Sequence, residues 1–163
     1  MATIVFFSIP AQGHTNPTLG VVRELTARGH RVIYDSFEGF REKIEAAGAE
    51  FVGCERFAPT MGLTRQAGAR VGSDLALSTR VLVDTILALD EPVCREMEKL
   101  RPDCIVGDSM AVWAKTVAQR RSIPYVCSMT TFAFNRESAK ILPQGPGQVL
   151  GMLLSMGRVN REI

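Results

Sequence analysis

The sequence predicts an α/β fold, a doubly wound and mostly parallel sheet of the Rossmann-like kind. Short apolar runs rich in Val, Ile and Phe recur along the chain, as expected of strands buried on both faces. Amphipathic runs with helix start and stop signals separate these strands. Strands that alternate with helices form parallel sheets covered on both faces, and right-handed crossovers favour the strand order 3-2-1-4-5.

The first strand covers residues 3–9, a continuous apolar run. Asn16 is a suitable N-cap and Pro17 a suitable first residue for the helix that follows. Gly29 supplies the left-handed position at which this helix ends. The second strand then covers residues 31–36.

The remaining elements continue the alternation of helix and strand. A short helix at 40–48 is closed by its terminal glycine, and residues 53 to about 72 lack periodicity and are predicted to form a long surface loop. Pro92 is expected to kink or split the long helix at 73–100, because an interior proline removes a hydrogen bond. The other predicted strands are 49–53, 103–108 and 124–129, the other helix is 111–121, and residues 130–163 are predicted to form a loop and one amphipathic helix.

Length and charge limit the classes of function. The 163 residues suffice for one domain, and hydrophobic residues make up 46% of them, which is enough for a packed core. The formal net charge is only +2, which favours neither a nucleic acid nor an anionic membrane as partner. The apolar N-terminus is too short for a signal peptide and no run is long enough to span a membrane, so a cytoplasmic location is expected.

The four cysteines are widely spaced and form no CxxC pair, so neither a metal site nor a cofactor site is predicted from them. They are interpreted as reduced and mostly buried thiols.

Two chemistry-bearing loops should meet where the winding of the sheet reverses, which is where such sheets bind ligands. The loop after the first strand carries Gln12, Gly13 and His14. The turn after the fourth strand carries Asp108 and Ser109. The predicted topology makes His14 and Asp108 neighbours at this switch point. Gln12, Gly13 and Ser109 in the same two loops are expected to contact a substrate.

A histidine beside an aspartate is typical of general base catalysis. The carboxylate accepts a hydrogen bond from one ring nitrogen, and the other nitrogen can then take a proton from a hydroxyl group. Two alternatives stay open at this stage: His14 is a surface residue, or Asp108 caps the following helix. A nucleophilic mechanism is disfavoured, because no GxSxG motif and no cysteine–histidine pairing is evident.

The loop after the fifth strand combines aromatic and polar side chains that suit an apolar binding pocket. Those expected to contact a substrate are Met129, Thr130, Phe132 and Phe134. Alternatively, the two phenylalanines only fix the loop to the core. Trp113 is expected to pack its helix on the sheet. Neither a complete GxGxxG motif nor a Walker A loop is present, which disfavours a nucleotide site on this chain.

Three segments together resemble one family. They are "PAQGHTNPTLGVVRELTARGHRVIYDS", "FREKIEAAGAEFV" and "PDCIVGDSMAVWAKTVAQRRSIPYVCSMTTFAFN". They are similar to the N-terminal, acceptor-binding domain of GT-B glycosyltransferases of family 1. The similarity is greatest to the bacterial macrolide and UDP-glucosyltransferase group, which also glucosylates flavonoids.

The resemblance implies two Rossmann-like domains, of which the N-terminal one binds the acceptor and the C-terminal one binds the nucleotide sugar. It implies direct displacement with inversion, UDP-glucose as co-substrate, and no obligatory metal or cofactor. His14 takes the position of the family's base, Asp108 that of its partner, and Gly13 that of a glycine allowing close approach. Phe132 and Phe134 fall in the variable acceptor loop.

The chain departs from the family at its C-terminus. It ends at Ile163 and contains neither the family's H-C-G-x-x-[ST] donor motif nor its acid–glutamine pair. Residues 1–163 are therefore expected to form an incomplete, C-terminally truncated acceptor-binding domain. A donor-binding domain or second chain, or a homodimer through the exposed sheet edge, is the expected partner. The competing hypotheses are a non-catalytic binding module and a small nucleotide-binding protein.

Overall fold

A computed structural model describes residues 1–9, 11–54 and 75–130, and these contain a five-stranded sheet in the order 3-2-1-4-5. Each strand is parallel to its neighbours. The predicted topology is therefore confirmed. The strands are β1 (Thr3–Phe7), β2 (Arg31–Ser36), β3 (Glu50–Gly53), β4 (Cys104–Asp108) and β5 (Tyr125–Ser128).

Helices connect the strands on both faces of the sheet. They are α1 (Gln12–Thr15), α2 (Leu19–Ala27), α3 (Arg41–Ala46), α4 (Leu75–Leu100) and α5 (Val112–Arg120), with 3₁₀ turns at Asn16–Thr18 and Glu38–Phe40.

The sheet separates two hydrophobic cores, and β1 contributes to both. Val5 and Phe7 pack with residues of α4 and α5 on one face. Ile4 and Phe6 pack with residues of α2 and α3 on the other face. This alternation explains the continuous apolar run of β1, because successive side chains of a strand point to opposite faces. Trp113 is buried in the first core, as the sequence predicts.

Glycines end two of the helices as predicted. Gly29 follows α2 with φ of 80°, and Gly48 follows α3 with φ of 92°. Residues with a Cβ rarely adopt this left-handed region, which explains glycine at both positions. The start of the first helical segment differs from the prediction. Asn16 has helical dihedral angles, and the helix begins four residues earlier, with Ala11 in the extended N-cap conformation.

Pro92 does not split the long helix, because α4 is continuous from Leu75 to Leu100. Leu89, Val93 and Met97 lie on one buried face of α4 on both sides of the proline. Burial of that face can offset the roughly 3 kcal/mol that an interior proline costs a helix.

The expectation of mostly buried thiols holds only in part. All four cysteines are free, and Cys54 and Cys94 are buried. Cys104 is partly buried, and Cys127 is exposed on β5. Burial raises the pKa of the Cys104 thiol, because the thiolate is poorly solvated there.

Part of the predicted chain lies outside the described residues. This applies to 55–72 of the predicted loop and to 131–163, which include Phe132 and Phe134. Among the helices that are described, none is both long and apolar enough to span a membrane.

Candidate active site

The carboxyl ends of β1, β4 and β5 bring three polar side chains together. Phe7 at the end of β1 pairs with Gly107 of β4, and Asp108 pairs with Ser128 of β5. The chain therefore continues from all three strands at the same edge of the sheet. The side chains that meet there are those of His14 in α1, Asp108 at the end of β4 and Thr130 after β5.

His14 and Asp108 are in direct contact, as the switch-point argument predicts. The distance between His14 Nδ1 and Asp108 Oδ2 is 2.8 Å. An ionised carboxylate only accepts hydrogen bonds, so this contact places the ring hydrogen on Nδ1. Within the described part of the chain, no group hydrogen-bonds to Nε2. The histidine side chain is 18% exposed, so Nε2 is available to a ligand while the aspartate is enclosed.

Asp108 is held by three donors although its side chain has no exposed surface. Its Oδ1 accepts the Met110 backbone N–H at 2.8 Å, while Oδ2 accepts from His14 Nδ1 and from the Thr130 hydroxyl at 3.1 Å. These bonds compensate for the cost of burying a carboxylate. Helix α5 has Ala111 at its N-cap and no side-chain capping bond. The alternative that Asp108 caps this helix is therefore wrong.

Short-range backbone bonds form the turn that carries His14. The N–H groups of His14 and Thr15 both donate to the Ala11 carbonyl at 3.0 Å. Pro17 lies in the first turn of the following 3₁₀ segment, where its missing N–H costs little. The resulting helical turn directs His14 toward β4 rather than leaving it in a loose loop.

A buried group of hydroxyls supports this turn from below. The hydroxyl oxygen of Thr15, the residue after His14, lies 3.2 Å from the hydroxyl oxygen of Ser8. Thr18 donates to the Thr15 carbonyl at 2.8 Å and contacts the Tyr34 hydroxyl at 2.7 Å. Burial raises the pKa of Tyr34, and the negative charge of Asp108 adds to this effect.

This set of buried hydroxyl side chains was not predicted from the sequence. Its members are fully or almost fully buried, so they form part of the interior rather than the surface. A weak signal is present, because Ser8 interrupts the apolar run of the predicted first strand. That signal does not show which hydroxyls meet, since their contacts depend on packing between β1, β2 and the turn.

The other residues that the sequence predicts to contact a substrate differ from one another in solvent exposure. Gln12, Gly13 and Met129 are exposed, and Ser109 is partly buried with its N–H bonded to the Ser128 carbonyl at 3.0 Å. A Cβ placed on Gly13 would meet no atom of the described residues within 4 Å. These residues therefore leave open space beside the histidine. No cluster of three metal-ligating side chains occurs among the residues described.

The class of protein follows from comparison with solved structures. The chain superposes on the glycotransferase of kitacinnamycin with a TM-score of 0.66 and 26% identity, covering 86% of this chain and 33% of that one. For the calicheamicin glycosyltransferase CalG4 the TM-score is 0.60 and the identity is 26%. This match covers 98% of the present chain and 43% of CalG4. The fold is that of the N-terminal half of GT-B glycosyltransferases.

Sequence comparison shows which glycosyltransferases the chain resembles. No protein-family model matches the chain. The chain is 34% identical over 157 residues to demethyllactenocin mycarosyltransferase of Streptomyces fradiae, covering 90% of this chain and 33% of that protein. It is 32% identical over 148 residues to an uncharacterised UDP-glucosyltransferase of Bacillus subtilis strain 168, covering 90% and 36%. The resemblance to the bacterial macrolide and UDP-glucosyltransferase group is confirmed. The chain spans about a third of the length of these relatives.

Proposed function

We propose that this chain is the acceptor-binding, base-carrying half of an inverting glycosyltransferase. The observation that supports this function is the 2.8 Å contact between His14 Nδ1 and buried Asp108 at the carboxyl edge of the sheet. The sugar is glucose from UDP-glucose, and the acceptor is a hydroxyl of a hydrophobic small molecule such as a macrolide or flavonoid. The UDP-glucosyltransferase relative from Bacillus subtilis supports the choice of donor.

In this proposal His14 acts as the general base. Its Nε2 takes the proton of the acceptor hydroxyl while that oxygen attacks the anomeric carbon of the donor. The bond between the anomeric carbon and the phosphate oxygen breaks, UDP leaves with the electron pair, and the configuration inverts. Asp108 stabilises the imidazolium through Nδ1–H, as a carboxylate does for a catalytic histidine elsewhere.

The acceptor lies beside His14 in the open space around Gly13. Met129 and Gln12 are both exposed, and in this proposal they border the acceptor site. Apolar surface with a few polar anchors suits a hydroxylated hydrophobic molecule. We extend the acceptor site to Ser109, Phe132 and Phe134, of which the two phenylalanines lie outside the described residues.

The nucleotide sugar is bound by a second, donor-binding domain. The chain spans about a third of the relatives that it matches, and it contains no phosphate-binding loop of the P-loop or dinucleotide type. Alone, the chain should bind acceptor and transfer nothing, because base and donor must be held together for the displacement.

The test is a single-chain fusion of this chain to the part of the Bacillus subtilis relative that it does not cover. The fusion should release UDP from UDP-glucose and glucosylate a flavonol or a macrolide aglycone, whereas each half alone should do neither. Chromatography and mass spectrometry of the product report transfer. A folded fusion that binds both substrates and transfers no sugar would instead favour a non-catalytic binding module.

A further inference from the structure

Thr130 makes two contacts with the His14–Asp108 pair. Its hydroxyl oxygen lies 3.1 Å from Asp108 Oδ2 and 3.0 Å from His14 Nδ1. Together with the 2.8 Å contact between Nδ1 and Oδ2, these distances close a triangle of three polar atoms. Thr130 follows the end of β5 by two residues, and Ser128, the last residue of that strand, pairs with Asp108.

The hydrogen-bonding capacity of Thr130 is largely used within this triangle. A threonine hydroxyl has one hydrogen to donate, and that hydrogen goes to Oδ2 because an ionised carboxylate only accepts. With the ring hydrogen on Nδ1, the hydroxyl oxygen accepts a share of the Nδ1–H bond. The donor of Thr130 is therefore not available to a substrate hydroxyl.

We propose that Thr130 is a positioning residue for the base rather than an acceptor-contacting residue, an inference that rests on the proposed function. Its hydroxyl fixes the plane of the His14 ring relative to Asp108. It also places an oxygen dipole against Nδ1–H at the moment the ring becomes an imidazolium. Charged hydrogen-bond partners make such contacts stronger than neutral ones.

The test uses the fusion described above with two substitutions at this position. Thr130→Val keeps the branched shape and removes the hydroxyl, and it should lower kcat roughly 10- to 100-fold because the lost bond is to charged groups. The KM for the acceptor should stay within about twofold, since no acceptor contact is lost. Thr130→Ser restores the hydroxyl and should restore kcat to within about threefold.

A double substitution separates positioning from general structural damage. In an Asp108→Asn background, Thr130→Val should lower kcat little further, because both changes act on the same hydrogen-bonded unit. Thr116→Val is the matched control. The Thr116 hydroxyl bonds to the Val112 carbonyl within α5 at 3.2 Å, and its loss should leave kcat unchanged.

Two results would overturn the positioning role alone while leaving His14 as the base. One is a Thr130→Val fusion with raised acceptor KM and unchanged kcat, which would assign an acceptor contact. The other is a Thr130→Val fusion with unchanged kcat and unchanged acceptor KM, measured alongside a His14→Gln fusion that has lost transfer. A wild-type fusion without transfer, or a His14→Gln fusion that retains it, would overturn the proposed function and this inference with it.

Discussion

Replacing Asp108 by asparagine should move the ring hydrogen of His14 from Nδ1 to Nε2. The orientation of the new amide is fixed by Met110, whose backbone N–H lies 2.8 Å from Oδ1 and requires an acceptor there. The amide NH₂ then occupies the place of Oδ2 and faces His14 Nδ1 and the Thr130 hydroxyl oxygen. It donates to both, and Nδ1 becomes an acceptor.

The expected loss of activity follows from this exchange of tautomer. A histidine with hydrogen on Nε2 and an accepting Nδ1 cannot take a proton from the acceptor hydroxyl. In the Ser-His-Asp hydrolases the corresponding substitution lowers kcat by about 10⁴-fold, and we expect a similar loss for the fusion. The free energy of unfolding should change by less than about 1 kcal/mol, because each polar atom keeps a partner.

Two measurements check this expectation. The initial rate of UDP release from the fusion reports kcat, and ¹⁵N spectra of the imidazole rings in the chain alone report which nitrogen carries hydrogen. The chain has only two histidines, so a His30→Gln variant assigns the His14 signals. An Asp108→Asn chain whose hydrogen stays on Nδ1, or a fusion whose kcat falls less than about tenfold, would refute the reasoning.

Further predictions concern stability of the chain, measured by urea unfolding. A Cβ at Gly107 would lie 2.7 Å from the Tyr125 hydroxyl oxygen, so Gly107→Ala should destabilise the chain by about 1–3 kcal/mol. Gly13→Ala is the control, because a Cβ there would meet no atom of the described residues within 4 Å. Tyr34→Phe should cost about 1 kcal/mol through the lost 2.7 Å contact with Thr18, and an unchanged midpoint would contradict that contact. Burial raises the pKa of Tyr125 to about 12, above the usual value of about 10, so stability should fall as pH rises through this interval. Tyr125→Phe should make that fall shallower, and an equally steep fall would argue against the assignment.

The order of the sheet could be predicted from the sequence because its strands are buried on both faces. Ile4 to Phe7 form an unbroken apolar run that suits no half-exposed strand, and crossover handedness then leaves few topologies. The same topology predicts that His14 and Asp108 meet, since parallel strands present their carboxyl ends at one edge.

The start of the first helical segment, in contrast to the order of the sheet, could not be predicted from the sequence. Asn16 and Pro17 are strong start signals, yet the turn begins at Gln12 through backbone bonds to the Ala11 carbonyl. Such bonds need no particular side chain, so the sequence carries no local mark of them. This difference matters for the site, because it fixes His14 within a helical turn.

The contacts of Thr130 with His14 and Asp108 could not be predicted from the sequence either. The sequence predicts that Thr130 contacts a substrate, because it shows only that Thr130 follows the fifth strand. Its distances to Asp108 and His14 depend on the register of β5 against β4 and on side-chain rotamers. Periodicity of hydrophobic residues specifies neither of these.

Sugar transfer by a His14→Gln fusion tests the central claim most directly. If Nε2 of His14 takes the acceptor proton, kcat should fall by about 10²–10⁴-fold while the KM for UDP-glucose stays unchanged. The matched control is His30→Gln, because the one contact that the described residues make with His30 Nδ1 is the Ala2 backbone N–H, at 3.2 Å, and this variant should keep full activity. A His14→Gln fusion that transfers glucose at the wild-type rate would contradict the assignment of His14 as the base.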